Sequence, residues 1–181
     1  MVTSARLTSR ALGAALVLMA GAAQAQQAGV TGAVNPDSSA GFTGAMRTLQ
    51  RGEPVIRNEH VRTSAAGSVQ IIFIDKTTLS VGPNSDLVID EFVYNADTNS
   101  AKMAITMSRG LMRVVGGQST HNDNMKITTP VATVGVRGGV ATVSHDAKNG
   151  TKATNLFGTM TVTGRGKRAS LLTTGSQTWP V

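Results

Sequence analysis

From residue 52 onward, apolar residues recur at every second position in short runs, and Gly, Pro, Asn or Asp closes each run. A period of two sends alternate side chains to opposite faces of an extended chain, so these runs predict β-strands. Val69, Ile71 and Phe73 alternate with Gln70, while Ile72 and Ile74 make the second face apolar too, so this strand is expected to be covered on both sides. Asp75-Lys76-Thr77 predicts a hairpin turn into a strand where Leu79 and Val81 alternate with Thr78 and Ser80. Gly82-Pro83-Asn84-Ser85 predicts a tight turn, because proline presets φ while Gly and Asn tolerate left-handed backbone.

Further along, residues 87–94 place Leu87, Ile89 and Val93 on one face and Asp90, Phe92 and Tyr94 on the other. Met103, Ile105 and Met107 alternate next; Ser108-Arg109-Gly110 predicts a turn and residues 111–115 a returning strand, which together make a second hairpin. A polar stretch, 118–124, precedes strands expected over 125–127, 131–136, 140–143, 151–157 and 160–162. Runs spaced by about 8 to 12 residues predict an all-β chain built as a single β-sandwich or jelly-roll-like domain of short strands. A short β-solenoid is the alternative, ranked second because the runs vary in length and share no rung consensus. Residues 26–50, rich in Gln, Gly, Ala and Ser without a period, read as a flexible lead-in to a β domain over 51–163. Residues 164–181 read as a basic C-terminal tail with a frayed or shortened end.

Residues 1–25 follow a different pattern. A start carrying Arg6 and Arg10 leads into a 13-residue apolar run, 11–23, and then Ala23-Gln24-Ala25, the layout of a secretory signal peptide cleaved after Ala25. The run is shorter than the roughly 20 residues of a spanning helix, and no second apolar stretch of that length follows, so no integral membrane span is expected after signal removal. The expected location is the bacterial periplasm, or beyond it as a secreted protein. With 181 residues, 40% of them hydrophobic, the chain has material for one packed domain, and its zero cysteines exclude disulfides, thiolate nucleophiles and cysteine zinc sites. The net charge of +7 falls to +5 without Arg6 and Arg10, a modest excess that suits anionic surfaces in general.

Residues 52–162 resemble the FecR domain family. The matching pieces are Arg57-Asn58-Glu59, Val61-Arg62-Thr63, Gly67-Ser68-Val69-Gln70, Phe73-Ile74-Asp75, residues 78–85 ending in Gly82-Pro83-Asn84-Ser85, and Ile89-Asp90-Glu91-Phe92-Val93-Tyr94. Residues 110–117 and 129–139 complete the series, the latter containing Thr129, Pro130, Gly135, Arg137 and Gly138. The resemblance implies an all-β, non-catalytic domain of the bacterial envelope, and a structural role for its motif positions. The family's namesake is an iron-uptake regulator with a cytoplasmic anti-sigma segment and a membrane helix; this chain resembles an exported, stand-alone form without either.

Gly135-Val136-Arg137-Gly138-Gly139 has the glycine content of a phosphate loop, but Val140-Ala141-Thr142-Val143 continues it as a strand, not as the helix whose N-terminus would bind phosphate. A glycine bulge or tight hairpin is therefore expected, with Arg137 paired to a carboxylate inside the domain. Asp86, Asp90 and Glu91 form the nearest acid cluster and read as solvated strand margins. His60, His121 and His145 are far apart in polar stretches expected to be exposed, and no nucleophile elbow accompanies them. His121 with Asn122, Asp123 and Asn124 makes an oxygen-rich loop with too few ligands for a dedicated calcium site. No catalytic residue, cofactor site or metal site is expected. The expected partner is an envelope protein, with a cell-wall or surface polysaccharide bound through the basic C-terminal region as the alternative. Nucleic acid is excluded, because export removes it and aromatic residues are only 3% of the chain.

Overall fold

The computed structural model describes residues 27–120, 125–164, 166–171 and 175–180. The expected signal peptide, 1–25, and the oxygen-rich loop, 121–124, lie outside the described residues. The chain is all-β. Its strands are β1 (Gln27–Asn35), β2 (Ser38–Phe42), β3 (Ala45–Thr48), β4 (Pro54–Ile56), β5 (His60–Thr63), β6 (Ser68–Phe73), β7 (Thr78–Val81), β8 (Asp86–Asn95), β9 (Ser100–Val115), β10 (Met125–Thr128), β11 (Thr133–Asp146), β12 (Gly150–Gly164), β13 (Lys167–Leu171) and β14 (Gly175–Trp179). All belong to one curled sheet, and every described pairing is antiparallel except β9 with β10. Solenoid rungs stack in parallel, so the alternative architecture does not describe it.

Three long strands make the curl by changing neighbours partway along. In β9, residues 100–109 pair with β8, whereas 110–115 pair with β11. In β11, residues 133–136 pair with β10 and 140–145 with β9, and β12 runs beside both parts. The changes fall at glycines in left-handed backbone, Gly110 (φ 107°), Gly138 and Gly139 (φ 65° and 78°) and Gly158 (φ 88°), a conformation open to glycine at little cost. The first half of the sheet runs β3-β2-β5-β8-β9-β10-β11-β12-β13. The second runs β4-β1-β6-β7-β9-β11-β12-β14.

The inward faces of the halves meet in one core, where Phe73 of β6 and Phe92 of β8 lie 5.2 Å apart, centroid to centroid. With so few aromatic residues, volume is filled by Ile, Val, Leu and the fully buried Met103, Met107, Met112, Met125 and Met160. Methionine suits this because its unbranched, polarisable chain fits irregular gaps.

Several expectations are corrected. The described part of the expected lead-in, residues 27–50, is built into the sheet: β1 lies between β4 and β6, and β2 between β3 and β5. Their inward residues are small, Ala28 and Ala40, because neighbouring backbone approaches closely; a Cβ on Gly29 would meet the backbone of Ile72. Small residues leave no hydrophobic period to read. The basic tail likewise supplies β13 and β14. Residues 108–110 bend one strand instead of turning a hairpin, since both arms of β9 stay in the ladder. Residues 137–139 form the bulge, not the hairpin, and 151–157 and 160–162 are one strand. In β8 a register shift between Ile89 and Glu91 reverses the alternation, burying Phe92 with Leu87 and Ile89 and exposing Val93. Finally, β6 is covered on one side only: Ile72 and Ile74 stand 41% and 52% exposed.

Candidate functional site

The motif Gly82-Pro83-Asn84-Ser85 carries the chain from β7 in the second half to β8 in the first, beside the bend of β9. Asn84 takes the left-handed conformation (φ 53°), and its amide donates to the Ser64 carbonyl at 2.9 Å. Ser85 is buried; its hydroxyl donates to the Gly82 carbonyl at 2.7 Å and accepts from the Leu111 amide at 3.0 Å. The Thr63 hydroxyl accepts from the Ser85 amide at 3.0 Å and donates to Gly82 O at 2.7 Å. A Cβ on Gly110 would fall inside Ser85, so only glycine fits at the bend. Here the motif ties turn, strand end and corner together.

Thr129 and Pro130 precede β11. The Thr129 hydroxyl donates to the Ala132 carbonyl at 3.0 Å and lies 2.7 Å from Thr151 Oγ1, which lies 2.9 Å from His145 Nδ1. His145 is buried, against expectation, because it continues the inward positions Ala141 and Val143. Gly135 faces Thr161 across the ladder. Arg137 is exposed and has no ion-pair partner among the described residues, so the expected internal carboxylate is absent there. Asp90 is exposed, Glu91 pairs with Lys102 at 3.0 Å, and Asp86 lies 3.0 Å from Arg62 and 3.5 Å from His60 Nδ1. Each acid thus has its own surroundings, and they do not converge.

Two polar centres escaped the sequence reading. Glu59 is buried in the β4–β5 turn and receives both terminal nitrogens of Arg47, which hold its carboxylate in a fork; the Ile56 amide adds a bond at 3.0 Å. The bond to Glu59 raises the Arg47 guanidinium above the ordinary arginine range, against the opposing effect of burial. Asp75 is also buried, with its carboxylate 3.0 Å from the Thr77 amide and 2.7 Å from the Thr77 hydroxyl, an Asx-type turn recognisable in Asp75-Lys76-Thr77.

A cleft of about 420 Å³ opens between Asn84, Ser108, Arg109 and the end of β11 at His145 and Asp146. Asp146 turns its carboxylate to its own turn, accepting from the amides of Lys148 at 2.9 Å and Asn149 at 2.7 Å. The Asn149 side chain, first, and these amides hold its carboxyl below the usual carboxylate range. Among the described residues, no three His, Cys, Asp or Glu side chains are grouped to hold a metal, and no helix is long and apolar enough to cross a membrane.

The outer face of the second half is different in kind. Cross-strand register aligns Ile72 with Thr78, Thr78 with Val115, Val115 with Val140, and Val140 with Phe157, a row crossing β6, β7, β9, β11 and β12. Ile72, Thr78, Val115 and Val140 point away from the core, as their buried neighbours Ile71, Leu79, Val114 and Ala141 establish, and Phe157, beside the register shift in β12, is exposed. Ile72 is 41%, Val115 38% and Phe157 72% exposed, and Ile74 and Leu156 extend the patch. An isolated exposed apolar residue is ordinary; a contiguous set marks a contact surface.

The family model described as FecR protein matches residues 59–173, well over half of the chain. No curated protein and no solved structure matches it. The chain belongs to the FecR family, whose domains are signalling-related and not known as enzymes.

Proposed function

We propose that this FecR-family chain is an exported module of the bacterial envelope that acts by protein–protein contact, as a sensor or assembly element in cell-surface signalling. The observation that carries the reading is the apolar row from Ile72 to Phe157 on an open sheet face. A side chain as large as Phe157, left 72% exposed, gains nothing for folding that a polar residue would not. Beside that face, β14 pairs with β12 alone among the described residues, and its main chain offers a further edge for strand addition. Support for export comes from residues 1–25, with Arg6, Arg10, the apolar run 11–23 and Ala23-Gln24-Ala25. Accordingly, N-terminal sequencing of the mature protein is expected to begin at Gln26.

The experiment that tests the contact is photo-crosslinking in living bacteria, with the reactive residue at position 157 and, as control, at Thr133 on the other outer face. An adduct with one envelope protein from 157 and not from 133 is expected; no adduct at 157 overturns the reading. A second reading, binding of cell-wall or surface polysaccharide, is favoured by one observation: no acid follows Asp146, while Lys148, Lys152, Arg165, Lys167 and Arg168 do. Salt-sensitive retention on purified peptidoglycan, together with a blank crosslink at 157, would establish that reading instead.

A further inference from the structure

We infer that the occupant of the open face is an amphipathic helix of the partner protein, flanked by acidic residues and laid across the strands; this rests on the contact reading above. Geometry selects the helix. The row runs perpendicular to the strands, with one side chain per strand at a spacing of about 4.8 Å, four of the five apolar and Thr78 between Ile72 and Val115. Apolar residues on one helix face return about every 5.4 Å, whereas same-face residues of an extended strand return about every 6.8 Å. The helix is the closer match. Five strands span about 19 Å, the length of about 13 helical residues.

Charge selects the acids. Lys76 is exposed at the β6–β7 turn beside the Ile72 end of the row, Arg113 is exposed two residues from Val115 along β9, and Arg137 is exposed just before the bulge that leads to Val140. None of the three has an ion-pair partner among the described residues. Acids of the same half are otherwise engaged: Asp75 is buried, Glu53 lies 3.7 Å from Arg47, and Asp146 lies at the far end of β11, bound to its own turn. An apolar stripe bordered by three unpaired cations is the complement of a helix with apolar residues on one face and carboxylates beside them.

The test uses the full mature chain and three fluorescent peptides of about 15 residues, long enough to cover the row. One is leucine-faced with Glu flanks, one carries the same face with Lys flanks, and one is the Glu sequence scrambled. In fluorescence anisotropy the Glu-flanked peptide is expected to bind about ten-fold more tightly than the Lys-flanked one at low salt, and the preference to shrink as salt screens the rim charges. Phe157→Ser is expected to weaken it at least about ten-fold, as removal of a central aromatic anchor does. Ile72→Ser is a second, smaller probe, and an unchanged urea midpoint establishes that each variant folds. Equal binding of the Glu- and Lys-flanked peptides, or binding indifferent to Phe157→Ser, overturns the inference. If neither peptide binds while position 157 still crosslinks a protein in cells, the helix assignment falls and the contact reading stands; if both fail, both fall. Concentration-dependent self-association abolished by Phe157→Ser would show a second copy on the face, and would also overturn it.

Discussion

The two outer faces of the folded sheet share one architecture and differ in chemistry. On the first half, register aligns Thr106, Thr128, Thr133 and Thr163 in a row across β9, β10, β11 and β12. On the second, the corresponding row is Ile72, Thr78, Val115, Val140 and Phe157. Both rows alternate with inward residues of the same core, and threonine and the β-branched apolar residues are equally at home in a strand. Folding therefore does not require the difference. What packing leaves free to vary is where a contact surface can be written: the second half carries an apolar row in register, whereas the register row of the first is threonine, with Phe42 and Val93 exposed elsewhere on that half.

The largest expected effect comes from breaking the fold that creates two faces. Gly110→Ala combines a backbone at φ 107° with a methyl group driven into Ser85, and is expected to cost roughly 3 to 4 kcal/mol or to prevent folding; urea denaturation checks it. Arg47→Met keeps side-chain bulk but leaves the buried Glu59 carboxylate without its guanidinium. A loss of about 2 kcal/mol is expected, below that of a fully buried pair because Arg47 is partly exposed. The faces themselves should separate stability from recognition. Phe157→Ser is expected to change stability in urea by no more than about 0.5 kcal/mol while weakening binding of the Glu-flanked peptide at least about ten-fold, and Thr133→Val to leave both nearly unchanged. Equal loss of binding in both variants would erase the contrast between the faces.

The smallest effect is electrostatic. The Asp146 carboxyl is held below its ordinary value in the folded chain, so its contribution is present above the unfolded-state carboxylate pKa and is lost as pH falls through the folded one. Asp146→Ala should therefore be less stable than the parent near pH 6, with the deficit shrinking towards pH 3 in matched urea titrations.

Much of the β pattern was legible because β6, β7, β10 and most of β9 bury every second residue, and large apolar side chains mark those positions. Where the inward residues are small, as in β1 and β2, the period disappears although the strands are central. Bends were misread as turns for a related reason: glycine next to a polar pair looks the same whether the chain reverses or turns a corner, and only Ser85, 25 positions away, decides for Gly110. The turn at Gly82-Pro83-Asn84-Ser85 was legible from its residue types, while Arg47 and Glu59, separated by three strand ends, gave no local signal. The exposed row was hidden by its own composition, since Ile72 and Ile74 read as core until register showed nothing above them.

Three strands crossing the corner bear on how the chain comes apart. A hinge between two modules lets each open alone, but β9, β11 and β12 thread both halves with unbroken covalent backbone and nearly unbroken ladders. Opening either half strips partners from the same three strands, so amide protons on the two arms of β9 should exchange through a common transition and report one free energy of opening. The molecule is therefore expected to melt as a single cooperative unit, and a partner that grips the outer row of one half to slow amide exchange in the other.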